Sequence, residues 1–240
     1  MLKNPENCKT RFVSFSGMDG AGKSTQIAAL RSRVEASGIP VRIITFWDDV
    51  ARLTRFRESA GHKIFKGDKG IGSPDRPINR RDKNVRSWTM TLVRLFLYSV
   101  DAVSLRRVVK RALRSGREFV ICDRYAWDEL ANLNLANPLI RTYVRLLAAF
   151  IPRPDVSYVL DADPVAARAR KPEYPVEFLQ ICRASYHKLS RMLSGLTVVP
   201  PGTVEEVEAA IASAVRWGPE PRYASAGREL PLPMDRTAAS

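Results

Sequence analysis

The chain has 240 residues, a hydrophobic content of 45%, a charged content of 27% and a formal net charge of +14. That length suits one sizeable α/β domain and is short for two, and the composition is that of a soluble globular chain. The positive excess admits three readings: arginines that hold polyphosphate, a nucleic-acid surface, or an anionic membrane surface. No apolar run is long enough to span a bilayer, because the best candidate, 89–103, is interrupted by Arg94 and Asp101. The N-terminal MLKNPENCKT lacks an apolar signal core. The three cysteines, Cys8, Cys122 and Cys182, are scattered and odd in number, which argues against a disulfide frame or a zinc site and fits a reducing, cytoplasmic setting.

In chain order, an apolar run over 11–16 predicts the first strand. It leads into residues 17–24, GMDGAGKS, which match G-x-x-x-x-G-K-S, the P-loop pattern, in a strand–loop–helix setting. Consecutive N–H groups in such a turn make an anion cradle, and the helix that follows adds its positive N-terminal end. Gly17, Gly20 and Gly22 are expected to let the main chain approach phosphate without Cβ clashes. Together with Asp19, Ala21, Lys23, Ser24 and Thr25 they form the expected nucleotide-binding loop. Lys23 is expected to face solvent in the free protein and to reach the outer phosphates of a nucleotide. The Ser24 hydroxyl is expected on Mg²⁺.

A helix over 23–37 is stopped by Gly38 and Pro40. Strand two is expected at 41–46 and a helix at 48–58. Residues 61–79, rich in Gly, Pro and Lys, read as a long loop. Apolar residues at helical spacing predict one long helix over 82–115, closed by Gly116. Strand three is expected at 119–122. Residues 128–151 read as mostly helical with a break near Asn137 and Pro138. Strand four follows at 156–160, helices at 164–170 and 175–194, a last strand at 197–199 and a last helix at 204–217. The prolines Pro219, Pro221, Pro231 and Pro233 suggest a loose tail over 218–240.

Strands alternating with helices imply a parallel five-stranded sheet with helices on both faces. Ligands gather at the carboxyl ends of such strands, so the charged residues after each strand can be taken as one site. Asp123 directly follows an apolar strand, where a P-loop protein needs a carboxylate for Mg²⁺ or its waters, and Arg124 could hold a phosphoryl oxygen. A helix N-cap beside a surface arginine is the other reading. Asp48 and Asp49 fit either an N-cap or a base that takes a proton from a hydroxyl acceptor. The segment 61–87 carries Lys63, Lys66, Lys69, Arg76, Arg80, Arg81, Lys83 and Arg86 against Asp68, Asp75 and Asp82. It reads as a solvated face or as a mobile flap over an anionic acceptor. No nucleic-acid-binding motif is recognisable.

These segments resemble the thymidylate kinase family. The likeness rests on the P-loop with Asp19 and its Ser-Thr-Gln, on Asp123-Arg124-Tyr125 (D-R-Y), on 160–164 (L-D-x-x-P) and on Arg183 and Tyr186 (R-x-x-Y), and it covers most of 11–215. It implies an α/β, three-layer P-loop NTPase/nucleotide kinase fold over 1–217, with a lid at about 164–177. It also implies transfer of the terminal phosphoryl of ATP to a nucleoside monophosphate, dTMP by family default, with ATP and Mg²⁺ as cofactors. On this resemblance Lys23 and Ser24 hold ATP and Mg²⁺, and Asp123 joins Ser24 at the metal. Asp19 touches the acceptor sugar or positions an arginine, and Arg124 clamps the acceptor phosphate. The lid arginines Arg168 and Arg170 offset charge on the transferred phosphoryl. The partner is a small acceptor, and a homodimer is compatible.

The chain departs from the family at several places. Asp101 stands where the family's long helix carries a base-reading arginine, and it reads either as an acceptor for an amino group or as a solvated helix aspartate. The D-R-x-E that follows the family's lid arginines is replaced by 173–177, EYPVE. The arginine after strand two has only Arg52, Arg55 and Arg57 as candidates. Two other functions remain open: a kinase of a nucleoside or other hydroxyl-bearing metabolite, and a non-catalytic nucleotide-binding regulatory protein.

Overall fold

The computed structural model describes residues 12–51, 88–114 and 118–214. The basic segment 61–87, the candidates Arg52, Arg55 and Arg57, and the tail 218–240 lie outside the described residues. Five strands, β1 (Phe12–Ser16), β2 (Val41–Thr45), β3 (Phe119–Asp123), β4 (Val156–Leu160) and β5 (Leu196–Val199), form one parallel sheet in the order β2-β3-β1-β4-β5. The helices are α1 (Lys23–Ala36), α2 (Trp88–Leu113), α3 (Ala126–Leu130), α4 (Pro138–Phe150), α5 (Pro164–Arg170), α6 (Val176–Met192) and α7 (Val204–Ala214).

Alternation along the inner strands sorts their side chains into two cores. Phe12, Val120 and Cys122 face a core shared with α2, α3, α4 and α6, built on Leu105, Leu130, Val144 and Leu189. Val13, Phe15, Phe119 and Ile121 face the other, shared with α1 and α7 through Ile27, Leu30, Val34 and Ile211. All five residues of β1 are buried, as a strand covered on both faces requires. Burial also pushes the Cys122 thiol well above its usual range, so it serves as an inert core side chain. The pairings Phe15↔Asp123 and Ser16↔Val159 bring the carboxyl ends of β1, β3 and β4 level. The P-loop springs from that edge.

Three expectations change. The helix expected from residue 48 is a single π turn, Phe46–Val50, after which Ala51 is extended. The Asp49 carboxylate accepts from Thr45 N at 2.8 Å, and Ala51 N donates to Phe46 O at 2.8 Å, so the chain closes a wide turn instead of propagating a helix. The remainder of 48–58 lies outside the described residues. The break expected at Asn137 and Pro138 spans the whole segment 131–137. Asn137 then caps α4, accepting from Leu139 N at 2.9 Å, with Pro138 in the first turn. Asp101 is not a solvated helix aspartate: it is 1% exposed, on the core side of α2.

Candidate active site

The P-loop joins β1 to α1, and Gly22 caps α1 at φ 84°, a conformation that glycine adopts without strain. Gly17 and Gly20 are also needed for close packing. A Cβ on Gly17 would lie 2.5 Å from the Leu160 carbonyl oxygen, and one on Gly20 would lie 2.3 Å from that of Ala167. Their missing side chains let the loop close against β4 and α5, the helix expected to form the lid. Gly20→Ala should therefore displace backbone, at a cost of about 2 kcal/mol, and should weaken ATP binding with it. Thermal melts and ATP titration of the variant check this.

Lys23 is 8% exposed, and its ammonium donates to the carbonyls of Gly17 and Met18, both at 2.8 Å. It is thus folded back on its own loop, contrary to the solvent-facing expectation, because two carbonyls lie within reach of a four-carbon stem. Burial, helped by the Arg124 cation, lowers its pKa to about 8, against the opposing pull of Asp128, Asp19 and Asp123. Ser24 and Thr25 stand exposed at the start of α1. Asp123 ends β3, paired with Phe15 at the end of β1.

Arg124 adopts φ 65°, the one positive φ among the described non-glycine residues, with its N–H donating to Phe15 O at 3.0 Å. Its guanidinium bridges Asp19, through a short hydrogen bond, and Asp128 at 3.1 Å. Burial alone would lower the guanidinium pKa; the two carboxylates more than reverse this and hold it raised. Of the two roles expected for Asp19, the geometry shows the holding of an arginine.

The lid arginines lie on α5. Arg168 is half-buried and Arg170 exposed on α5, and neither makes a recorded hydrogen bond or ion pair among the described residues. The cation that reaches the P-loop is Lys171, 3.9 Å from Asp19 and 3.3 Å from Glu173. Asp163 caps α5, accepting from Ala166 N at 2.9 Å, with Pro164 in the first turn. The R-x-x-Y spacing puts two α6 side chains on two carboxylates, Asp161 just after β4 and Asp128 in α3. Arg183 forks onto Asp161 at 2.8 and 2.7 Å, and the Tyr186 hydroxyl donates to Asp128 at 2.7 Å. Burial would raise the Asp161 pKa, but the hydrogen bonds and charge of Arg183, with His187 at 3.2 Å, bring it below its ordinary value.

A cavity of about 480 Å³ opens beside this cluster. Its lining includes Gly17, Asp19 and Arg124, Arg94 on α2, and Asn132 and Asn134 in the 131–137 segment. Asp101 does not line it. Arg94, seven residues earlier on α2, does. Asp48 and Asp49 do not line it either. Arg94, Asp128 and Lys171 are site residues that sequence reasoning missed. For Asp128 a signal existed: a carboxylate three residues after Tyr125 is capping-box spacing. The other two carry no local signature.

The comparisons with known proteins agree with this geometry. No family model matches the chain. The thymidylate kinase of Deinococcus radiodurans is 30% identical over 172 residues, covering 68% of this chain and 72% of that protein. That of Symbiobacterium thermophilum is 27% identical over 186 residues, 75% of this chain and 76% of that protein. The probable thymidylate kinase of Pyrococcus abyssi is 29% identical over 216 residues, 85% of this chain and 95% of that protein. In three dimensions the crystal structure of thymidylate kinase from Ehrlichia chaffeensis superposes with a TM-score of 0.53 at 19% identity, over 86% of this chain and 99% of that one, which shows a shared fold. Sheet order, P-loop and the D-R-Y edge therefore fall on a chain whose relatives match it over most of their length: the protein belongs to the thymidylate kinase family and is a nucleotide kinase.

Proposed function

We propose that the protein transfers the terminal phosphoryl of Mg-ATP to a nucleoside monophosphate, with dTMP the first choice because the relatives are named for it. The observation that carries this reading is Arg124. Tied to Asp19 and Asp128, it presents a fixed cation in the wall of a cavity large enough for a nucleotide. Lys23 swings from its carbonyls to the outer phosphates of ATP. Ser24 and Asp123 hold Mg²⁺, directly or through water; the ion offsets phosphate charge when bound. Among the described residues no cluster of three or more His, Cys, Asp or Glu could hold a metal ion by itself. A P-loop magnesium needs none, since phosphate oxygens and waters fill most of its shell. α5 and the turn after it act as lid over 164–177, bringing Lys171, Arg168 and Arg170 toward the transferred group.

A phosphate acceptor attacks without a base, whereas a hydroxyl acceptor needs one. Asp49 is engaged with Thr45 N, and both Asp48 and Asp49 stand outside the cavity lining. Asp48→Asn and Asp49→Asn are therefore expected to leave turnover within a few-fold, with at most ~1 kcal/mol of stability lost. Steady-state kinetics of the two variants decides: a loss of roughly 10²–10⁴-fold in rate at one aspartate would identify a hydroxyl acceptor instead.

The described residues contain no helix long and apolar enough to cross a membrane, and we assign the protein to the cytoplasm. We also propose a homodimer. Leu92, Phe96 and Val103 of α2 and Leu139, Leu146 and Phe150 of α4 are exposed. The two helices lie side by side, with the Tyr143 hydroxyl on Leu95 O at 2.7 Å and Arg106 4.7 Å over the Phe150 ring. Sedimentation should show a wild-type dimer and a Phe96→Asp monomer; a monomeric wild type contradicts the assignment.

A further inference from the structure

We infer that Asp128 is a positioning residue for the phosphoryl-transfer reaction: it aims Arg124 at the acceptor, and Tyr186 and Ser16 hold it in the orientation that does so. The inference rests on the function proposed above only for what Arg124 touches, not for what holds Arg124.

Asp128 lies in α3 and is 6% exposed. One carboxylate oxygen accepts from Arg124 Nη1 at 3.1 Å and from the Tyr186 hydroxyl at 2.7 Å. The other accepts from the Ser16 hydroxyl at 2.6 Å and from Tyr125 N at 3.1 Å. An ionised carboxylate has about four acceptor sites, and here four donors meet them. They come from β1, from the turn between β3 and α3, and from α6, so the carboxylate cannot rotate without breaking bonds to three separate segments. It is a fixed anchor.

Arg124 needs such an anchor. Its backbone sits in the left-handed region at φ 65°, sparsely populated for any residue that carries a Cβ, so the residue is held by its surroundings. Two of its guanidinium donors are committed, one to Asp19 and one to Asp128. Two carboxylates on one planar fork fix its plane as well as its position, leaving its remaining N–H groups for the cavity it lines. Tyr186 completes the arrangement. Its hydroxyl is buried, and burial together with the Asp128 charge keeps the proton on the phenol, so it acts as a donor throughout the working pH range. Three residues earlier on α6, Arg183 grips Asp161 at the end of β4. One face of α6 thus holds both Asp161, just after β4, and Asp128 in α3.

The substitution Asp128→Asn keeps the shape but replaces one accepting oxygen by an NH₂ donor. That donor must face either Ser16 and Tyr125 N or Arg124 and Tyr186. Tyr186→Phe removes a single donor and leaves the carboxylate in place. The test is ¹H–¹⁵N spectroscopy of the Arg124 guanidinium in the free protein, together with kinetics in which dTMP and ATP are varied separately. In wild type the Arg124 Nη–H signals are expected to be resolved, as for a restrained guanidinium. They should be lost in Asp128→Asn and weakened in Tyr186→Phe. The KM for dTMP should rise about tenfold in Asp128→Asn, with the KM for ATP within twofold. Arg124 signals that stay resolved in Asp128→Asn would overturn the inference. So would a parallel rise of both KM values with a fall in melting temperature, which marks a structural role alone. If Asp128→Asn does not fold, Tyr186→Phe carries the same two readouts. A wild type that neither binds nor phosphorylates dTMP tells against the acceptor assignment, while the guanidinium spectra still decide the positioning.

Discussion

Lys23→Ala is expected to lower kcat by about 10³-fold or more while the protein remains folded. The loss follows from removing the cation that tracks the outer phosphates as charge shifts during transfer; single charge-stabilising donors are worth about 10²–10³ in rate elsewhere. Stability is the more discriminating readout, because Lys23 is buried on two carbonyls and not solvent-facing. Its pKa falls from 10.5 to about 8 on folding, so at pH 7 the charged form destabilises the fold by about 3 kcal/mol. The two hydrogen bonds lost on substitution, about 1 kcal/mol each, offset most of that gain. Lys23→Met should accordingly melt within about 4 °C of wild type at pH 7. Between pH 8 and 10.5 the unfolded chain binds more protons than the folded one. Wild-type stability should therefore climb relative to Lys23→Met across that window. ATP binding has the opposite slope: it needs the ammonium and should weaken as pH rises above about 8. Denaturant melts and ATP titrations from pH 7 to 10 check both signs.

Arg124→Ala is expected to reduce kcat/KM for the acceptor by about 10²–10³-fold, with a far smaller effect on the KM for ATP. It should also destabilise the protein, by roughly 3 kcal/mol. The Asp128 carboxylate would keep its buried position without the cation that compensates it, and Asp19 would lose its nearer partner. Arg124→Lys should rescue little of either loss, since a single ammonium cannot bridge two carboxylates as a guanidinium fork does. Kinetics with each substrate varied, alongside urea melts, separates the two effects. Equal and small changes in both KM values would remove Arg124 from the acceptor site.

Much of this architecture is legible in the sequence because it is written in contiguous stretches. β1, β3 and β4 are short apolar runs bounded by Gly, Asp or Pro, and the P-loop is one unbroken motif. Asp123-Arg124-Tyr125 announces itself by directly following an apolar strand. What could not be read depends on which face a residue turns, or on partners distant in the chain. Ser16 and Asp128 meet across 112 positions and Tyr186 and Asp128 across 58, so neither contact leaves a local pattern. Asp101 and Arg94 sit on one helix two turns apart, yet only the arginine reaches the cavity. The two lie seven residues apart on one helix, so the helical period alone does not tell them apart. Lys23 was misplaced because a P-loop pattern specifies its residue type and not its orientation. Lys171 is not legible as a partner of Asp19 because no local pattern marks it; only the turn after α5 brings the two to 3.9 Å.

The measurement that bears most directly on the central claim is ADP release from Mg-ATP against a panel of nucleoside monophosphates, nucleosides and sugars. Turnover with a monophosphate, dTMP foremost, and none with nucleosides or sugars is the predicted result. Turnover with a nucleoside or a sugar, or ATP binding with no acceptor phosphorylated at all, would contradict it.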